Sequence, residues 1–464
     1  VSRGKVFARI ADKSGISTVF SFSGFARAGG LKRLWLGAGG VGLFIATVYS
    51  TYALAPSPNH LPRVAGLDFV SFYTAGVAVR EGRAEELYDL DATRRFQATL
   101  EKRDGLPIGR SFAPWWNPPF YALLFVPLAG MGFHTALGIW LAVNVACTAA
   151  AIRVLCSMFP RSVGWRTWGL VPVLVVLSMP FMATMTHGQN SGTSLLILTA
   201  TVYFWRQGKG LSGGLVGGLL FYKPQLAVVL ALMMVLDLGW EAGVGFVVTG
   251  ATLLAVNLFV LPGTLAQFLH QVPVNLQFVQ EQSVYPWTRH VTLKGLFRVM
   301  LQGTGVGKTL GIVSLLSWTG MAAIGGILVW AGLKGRGRGI RRDRLIAATI
   351  AATPVVMPFY FDYDLLLMAV PIVLVANQML STGKVLVIPP HPNPLPRGEG
   401  EIARLVVRLL VILYLVLLFN PDLTETLRIN FASLLLAALA GMLIWRVNLD
   451  QFPAVVVRPA PMAA

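Results

Sequence analysis

The chain has 464 residues, of which 55% are hydrophobic and only 12% charged, and its formal net charge is +18. A soluble globular chain is about a quarter charged, so this composition excludes an ordinary water-soluble domain. The basic residues lie in short segments between apolar runs, the pattern of cytoplasmic loops and not of a nucleic-acid-binding face.

Residues 1–33 carry Arg3, Lys5, Arg9, Lys13, Arg27, Lys32 and Arg33 against Asp12 alone, which predicts a cytoplasmic N-terminus. The apolar run 34–54 is too long for a signal-peptide core and reads as an uncleaved first span. It delivers a long segment, 55–132, to the outer face. Within it, residues 69–79 read as an amphipathic helix at the interface. Residues 117–131 (NPPFYALLFVPLAGM) are short and proline-flanked, so they dip into the membrane or lie on it.

Further spans are expected at 133–156, 167–186, 191–205, 242–262, 309–333, 345–359, 364–380, 404–420 and 428–446. Cys147 and Cys156 share one of these spans and cannot pair along a straight helix, so they read as apolar filling. Segment 211–240 must cross twice, with a break at Lys223-Pro224, if the basic loop 334–344 is to be cytoplasmic. Broken helices at membrane depth line cavities, which predicts a polar cavity beside Lys223.

The fold class is an all-α polytopic membrane protein of about 12 spans, sized by the bilayer. A basic N-terminus (1–33) precedes a catalytic module, 34–380, with outer loops 55–132 and 263–308. A Pro/Gly-rich loop (381–403), a helix pair (404–446) and a cytoplasmic tail (447–464) follow. Residues 303–309 (GTGVGKT) imitate a phosphate-binding loop, but Gln302 stands where the pattern needs glycine. No His, Cys or Asp cluster has metal-ligand spacing. Neither a metal nor any other cofactor is expected.

Asp68 follows the first span closely. A carboxylate held at the membrane surface can take the proton of an attacking hydroxyl; the competing role is a helix cap. A leaving phosphate needs cations or donors where its charge grows, and Lys223, Arg289 and His290 are the candidates. Lys223 could instead snorkel, and the other two could be solvated loop residues. Tyr73, His187, Gln189, Asn190, Asp362 and Asp364 are candidates for sugar or acceptor hydroxyls. Asn190 is also placed to cap a helix, and the two aspartates to keep a turn wet.

An ordered set of short motifs carries a family resemblance. It runs through Asp68, Phe69, Phe72, Tyr73, Ala75, Gly82, Leu87, Tyr88, Asp89 and Phe96 to Asn117-Pro118-Pro119-Phe120. It continues through Gly188-Gln189-Asn190, Gly213-Gly214 and Gly217-Gly218, and ends on Lys223-Pro224. The set, spread over about 35–363, resembles glycosyltransferase family 87, the polyprenol-phosphate-mannose-dependent α-mannosyltransferases. The resemblance implies a GT-C-class membrane enzyme that moves a hexose, mannose in the family, from a polyprenyl-phosphate sugar to a glycan or glycolipid acceptor. It would be an inverting enzyme at the outer face of an inner membrane, with Asp68 in the place of the family's catalytic aspartate. Arg289-His290-Val291-Thr292 stands where many members carry an Asn-Gln-Ser-like cluster, leaving sugar and acceptor open. The rival class is a transporter or flippase of lipid-linked glycans, against which the lack of an internal repeat weighs.

Overall fold

The computed structural model describes residues 65–108, 112–159, 165–385 and 399–449. The basic N-terminus, the first span at 34–54, most of the Pro/Gly-rich loop and the tail from residue 450 lie outside them. The described residues are mostly helical, with no strand among them. An isolated antiparallel bridge, His290 to Phe361, is the one β-type pairing among them.

Residues 65–132 fold as α1 (Phe69–Arg80) and α2 (Leu90–Asp104), followed by 3-10 turns at Pro119–Phe125 and Leu128–Gly130. Every residue of α1 from Phe69 to Ala78 is buried. The helix is therefore not the interfacial one expected from its composition. Its surroundings explain why. Phe72 stacks on Phe125 at 4.9 Å, and Trp115, Tyr121 and Trp140 close the cluster edge-on. A Cβ at Gly76 would come within 2.6 Å of the Phe125 carbonyl. The NPPF segment thus lies against α1 as protein core.

α3 (Phe133–Ser157), α4 (Trp165–Val176), α5 (Met179–His187), α6 (Ser191–Arg206), α7 (Gly210–Gly218), α8 (Pro224–Leu238) and α9 (Trp240–Val260) follow. α7 continues through a 3-10 turn, Leu219–Tyr222, to Lys223, and Pro224 opens α8. Gly213 and Gly214 let α7 approach its neighbours closely. A Cβ at Gly214 would strike the Ala242 carbonyl of α9, and one at Gly213 the Met234 side chain of α8 at 2.7 Å. Small residues give membrane helices this backbone-to-backbone packing.

Residues 263–308 hold α10 (Thr264–Gln282), a 3-10 turn at Trp287–Arg289 and α11 (Leu293–Gln302). α12 (Gly311–Leu333), α13 (Ile340–Val356), a 3-10 stretch Asp362–Met368, α14 (Ala369–Val385), α15 (Glu399–Val416), α16 (Asn420–Leu427) and α17 (Phe431–Leu449) complete the chain.

Polar links mark two ends of this bundle. Ser191 opens α6 and Lys223 precedes α8, and both bond Asp364. At the far end of α6, Arg206 holds Asp343 of α13 in a bidentate pair. Near the far end of α8, Asp237 accepts from Trp205, Arg342 and the backbone of Gly337. The Lys223 break is therefore the apex of a helical hairpin whose two feet reach the basic loop.

Among the described residues, five helices are long and apolar enough to cross a membrane, or seven if each bent pair counts as one span. The expectation for the whole chain was about 12. α6 has 16 residues and α8 has 15. At 1.5 Å per residue they reach only about 24 Å, short of a hydrocarbon core about 30 Å thick.

Candidate active site

One end of the bundle carries a compact set of ionisable groups. Asp68 sits at the N-cap of α1, but its side chain makes no capping hydrogen bond. Its backbone N–H donates to the His187 carbonyl at 3.0 Å, and that of Gly66 to Thr186 at 2.8 Å. These two bonds press the start of α1 against the end of α5. The Asp68 carboxylate accepts instead from the Gln189 amide at 2.8 Å.

The turn from α5 to α6 distributes four consecutive polar contacts. Gly188 ends α5 in the left-handed conformation, φ 71°, and a Cβ there would strike Phe69 at 2.7 Å. His187 turns toward Arg289, Gln189 donates to Asp68, Asn190 donates to the Tyr121 hydroxyl at 3.1 Å, and Ser191 donates to Asp364 at 2.7 Å. Asn190 makes no side-chain cap to α6, contrary to the simplest expectation.

Arg289 is the hub. Its Nε and Nη2 donate to the two oxygens of Asp362 at 2.9 and 2.8 Å. Its Nη1 lies 2.6 Å from His187 Nε2. A guanidinium only donates, so Nε2 must accept. The other ring nitrogen, 2.9 Å from the Ala183 carbonyl, must then carry the proton. His187 is therefore the neutral Nδ1–H tautomer. Two of the five guanidinium N–H donors remain beyond these three bonds.

Lys223 donates to Asp364 Oδ1 at 2.7 Å, the oxygen that also takes Ser191. Its ammonium lies 5.3 Å from the Tyr363 ring centre, and the Arg289 guanidinium lies 5.8 Å from the same ring. The aromatic ring thus sits against both cations, a favourable arrangement. Asp362 and Asp364 are 4% and 2% exposed, so they do not keep a turn wet. Nor is Lys223, 6% exposed, a snorkelling residue.

Burial pushes the Asp68 carboxyl above its ordinary pKa, while Arg289, the Gln189 bond and Lys223 pull the other way. Burial disfavours the charge on Arg289, but Asp362 and then Asp68 more than offset it and raise its pKa.

Two candidates lie apart from this set. Tyr73 is buried and its hydroxyl is taken up by Asp104 and the Met131 carbonyl, at 3.0 and 2.7 Å. His290 is fully buried among Tyr285, Trp287, Phe359 and Phe361. Burial first, and Lys294 second, drop its pKa to about 3, so it is a neutral ring and not a cation. The 303–309 segment is no phosphate loop. The carbonyls of Gly303 and Gly305 accept from the Arg298 guanidinium at 3.0 and 2.8 Å, so they turn toward a cation. Sequence reasoning missed Ser191, which bonds Asp364, and Tyr121, which bonds Asn190.

An all-α membrane protein with a buried, ion-paired site at one end of its bundle is thus defined. A family model, "Glycosyltransferase family 87", matches residues 115–368. The chain belongs to that family and is a membrane glycosyltransferase. The matched stretch contains Gln189, Lys223, Arg289, Asp362 and Asp364 but begins after Asp68, which the fold brings to Gln189. No curated protein and no solved structure matches the chain.

Proposed function

We propose that the enzyme transfers a hexose, mannose by family likeness, from a polyprenyl-phosphate sugar to a glycan or glycolipid hydroxyl at the outer face of an inner membrane, within a GT-C-type fold. The observation that carries this reading is the state of Asp68. Its carboxylate caps nothing, is fixed through one oxygen by Gln189, and feels two paired cations, Arg289 and Lys223. The outer placement rests on charge. Lys209, Lys334, Arg336, Arg338, Arg341 and Arg342 gather at the end away from Lys223, as cytoplasmic loops require.

The reaction is a single displacement with inversion. The acceptor hydroxyl gives its proton to the Asp68 carboxylate as its oxygen attacks the anomeric carbon. The bond from that carbon to the phosphate oxygen breaks. The polyprenyl phosphate leaves with one more negative charge than it had in the donor. Arg289, with two donors to spare, and Lys223 meet that charge, the point where preorganised donors act most strongly. His187 and Asp362 hold the guanidinium still, and Asp364 with Ser191 holds the ammonium. Sugar hydroxyls fall to the turn 187–190. Tyr73 and His290 make no substrate contact in this reading.

The test is chemical. Membranes containing the enzyme, given polyprenyl-phosphate hexose, should release polyprenyl phosphate in step with glycosylation of an acceptor. Transfer from a nucleotide sugar alone, with the lipid-linked donor inert, would contradict it.

A further inference from the structure

We propose that Asn420 and Asn430, on the C-terminal helix pair beyond the matched family region, are positioning residues for Arg289. The inference rests on the reading of Arg289 as a phosphate-binding group.

Arg289 ends a three-residue 3-10 turn, a weak support for a side chain that must be placed accurately. The turn's own bonds are Arg289 N–H to the Pro286 carbonyl and His290 N–H to the Trp287 carbonyl, at 3.0 and 3.2 Å. Three further bonds strap it from outside. Val291 N–H donates to the Tyr360 carbonyl at 3.0 Å. The Asn420 amide donates to the Thr288 carbonyl at 3.2 Å, and the Asn430 amide to the His290 carbonyl at 3.2 Å. The carbonyls immediately before and after Arg289 are thus both held by asparagines.

The orientation of each amide is fixed. Asn420 Oδ1 accepts from Ala432 N–H at 3.0 Å, and Asn430 Oδ1 accepts from Ser433 N–H at 3.1 Å. A flipped amide would set oxygen against carbonyl oxygen. Asn420 also donates to Asn430 at 3.4 Å, and the two are 1% and 0% exposed. The turn that joins their helices carries a second signature of constraint. Arg428, which ends α16, has φ 55°, the one positive value at a non-glycine residue among those described. Such a conformation persists where the surroundings over-determine it.

Aspartate separates the two jobs of each side chain. Asp keeps the oxygen that meets Ala432 or Ser433, because Asp caps a helix about as well as Asn. It removes the donor and turns a carboxylate toward a carbonyl. Asn430→Asp and Asn420→Asp should each lower kcat on the order of 10-fold, below the ~10²-fold that a 1 Å misplacement can cost. The acceptor KM should stay within about twofold, since the acceptor meets Asp68. The deciding measurement is a double-mutant cycle with Arg289→Lys. With the guanidinium gone, Asn430→Asp should cost less than about twofold. Should Asn430→Asp fail to accumulate in membranes, Asn420→Asp carries the same cycle. An equal loss in both backgrounds would make the asparagines general scaffolding and overturn the proposal. So would full turnover in both Asp variants while Arg289→Lys is impaired. Normal turnover in Arg289→Lys alone would instead overturn the phosphate role on which the proposal stands.

Discussion

The Gln189 amide donates to Asp68 Oδ2 at 2.8 Å across 121 residues of sequence. The bond commits one carboxylate oxygen, and the proposed acceptor hydroxyl would meet the other. Gln189→Glu is nearly isosteric, removes the donor and adds a like charge. Both changes raise the Asp68 pKa. The acid limb of the pH–rate profile should move up accordingly, and Gln189→Ala should move it less in the same direction. An unmoved limb in the Glu variant would separate Gln189 from the base.

The wild-type pH profile has its own expected sign. As the proposed base, Asp68 works only when ionised, so turnover should fall as pH drops through its pKa. Burial raises that pKa, which puts the acid limb of kcat/KM above the ordinary carboxylate value of about 4. Linkage runs the other way for stability. A carboxyl with a raised folded pKa favours the fold while protonated and loses that advantage as pH rises through the folded value. Asp68→Asn, neutral at every pH, should therefore melt no lower than wild type at pH 7, as measured on purified protein in detergent.

Arg289 meets Asp362 through a fork that lysine cannot reproduce. Arg289→Lys should lower kcat/KM for the lipid donor by about 10²–10³-fold, the scale of losing one electrostatic stabiliser. A steady-state series in donor concentration measures it, and a loss below about threefold would remove Arg289 from the phosphate.

The buried pair Lys223–Asp364 separates stability from activity. Lys223→Met strands a carboxylate and should cost about 3–5 kcal/mol. Adding Asp364→Leu removes the stranded charge and should restore most of the melting temperature. Turnover should stay low in both, because the ammonium is absent from both. Recovery of activity in the double variant would assign the pair to structure alone.

Topology is open to cysteine labelling. Cysteines at Lys102 and Ser283 should react with an impermeant reagent from outside, and one at Arg338 should not. Gly337 is a poor site, because a Cβ there would come within 2.9 Å of both Asp237 and the Arg342 backbone. Outside labelling at Arg338 would break the hairpin reading of residues 210–238.

Much of this site was legible in the sequence because its residue types are rare in apolar surroundings. Asp68, Lys223, Arg289, Asp362 and Asp364 stood out as charges beside long hydrophobic runs, and the glycine at 188 marked the turn that aims Gln189. Their pairing was not legible. Asp362 and Asp364 looked like wet turn residues, because nothing local announces partners at Arg289 and Lys223. The enclosure of α1 was hidden for a similar reason: it read as an interfacial helix, and the partners of Phe72 (Trp115, Tyr121 and Phe125) lie 43–53 residues on. Among the described residues, α6, α8 and α13 are shorter than a full span. α13 is buried along most of its length, so its polar first turn needs no lipid-facing apolar run to offset it. Asn420 and Asn430 gave no signal at all, since an asparagine beside a turn is ordinary.

The central claim is that Asp68 is the base. Asp68→Asn keeps the size of the side chain and an oxygen for Gln189 but cannot take the proton. A general base contributes typically about 10²–10⁴-fold. Single-turnover release of polyprenyl phosphate from bound donor should slow by that range in Asp68→Asn, with donor binding and expression unchanged. Release in the Asn variant within about threefold of wild type would contradict the account.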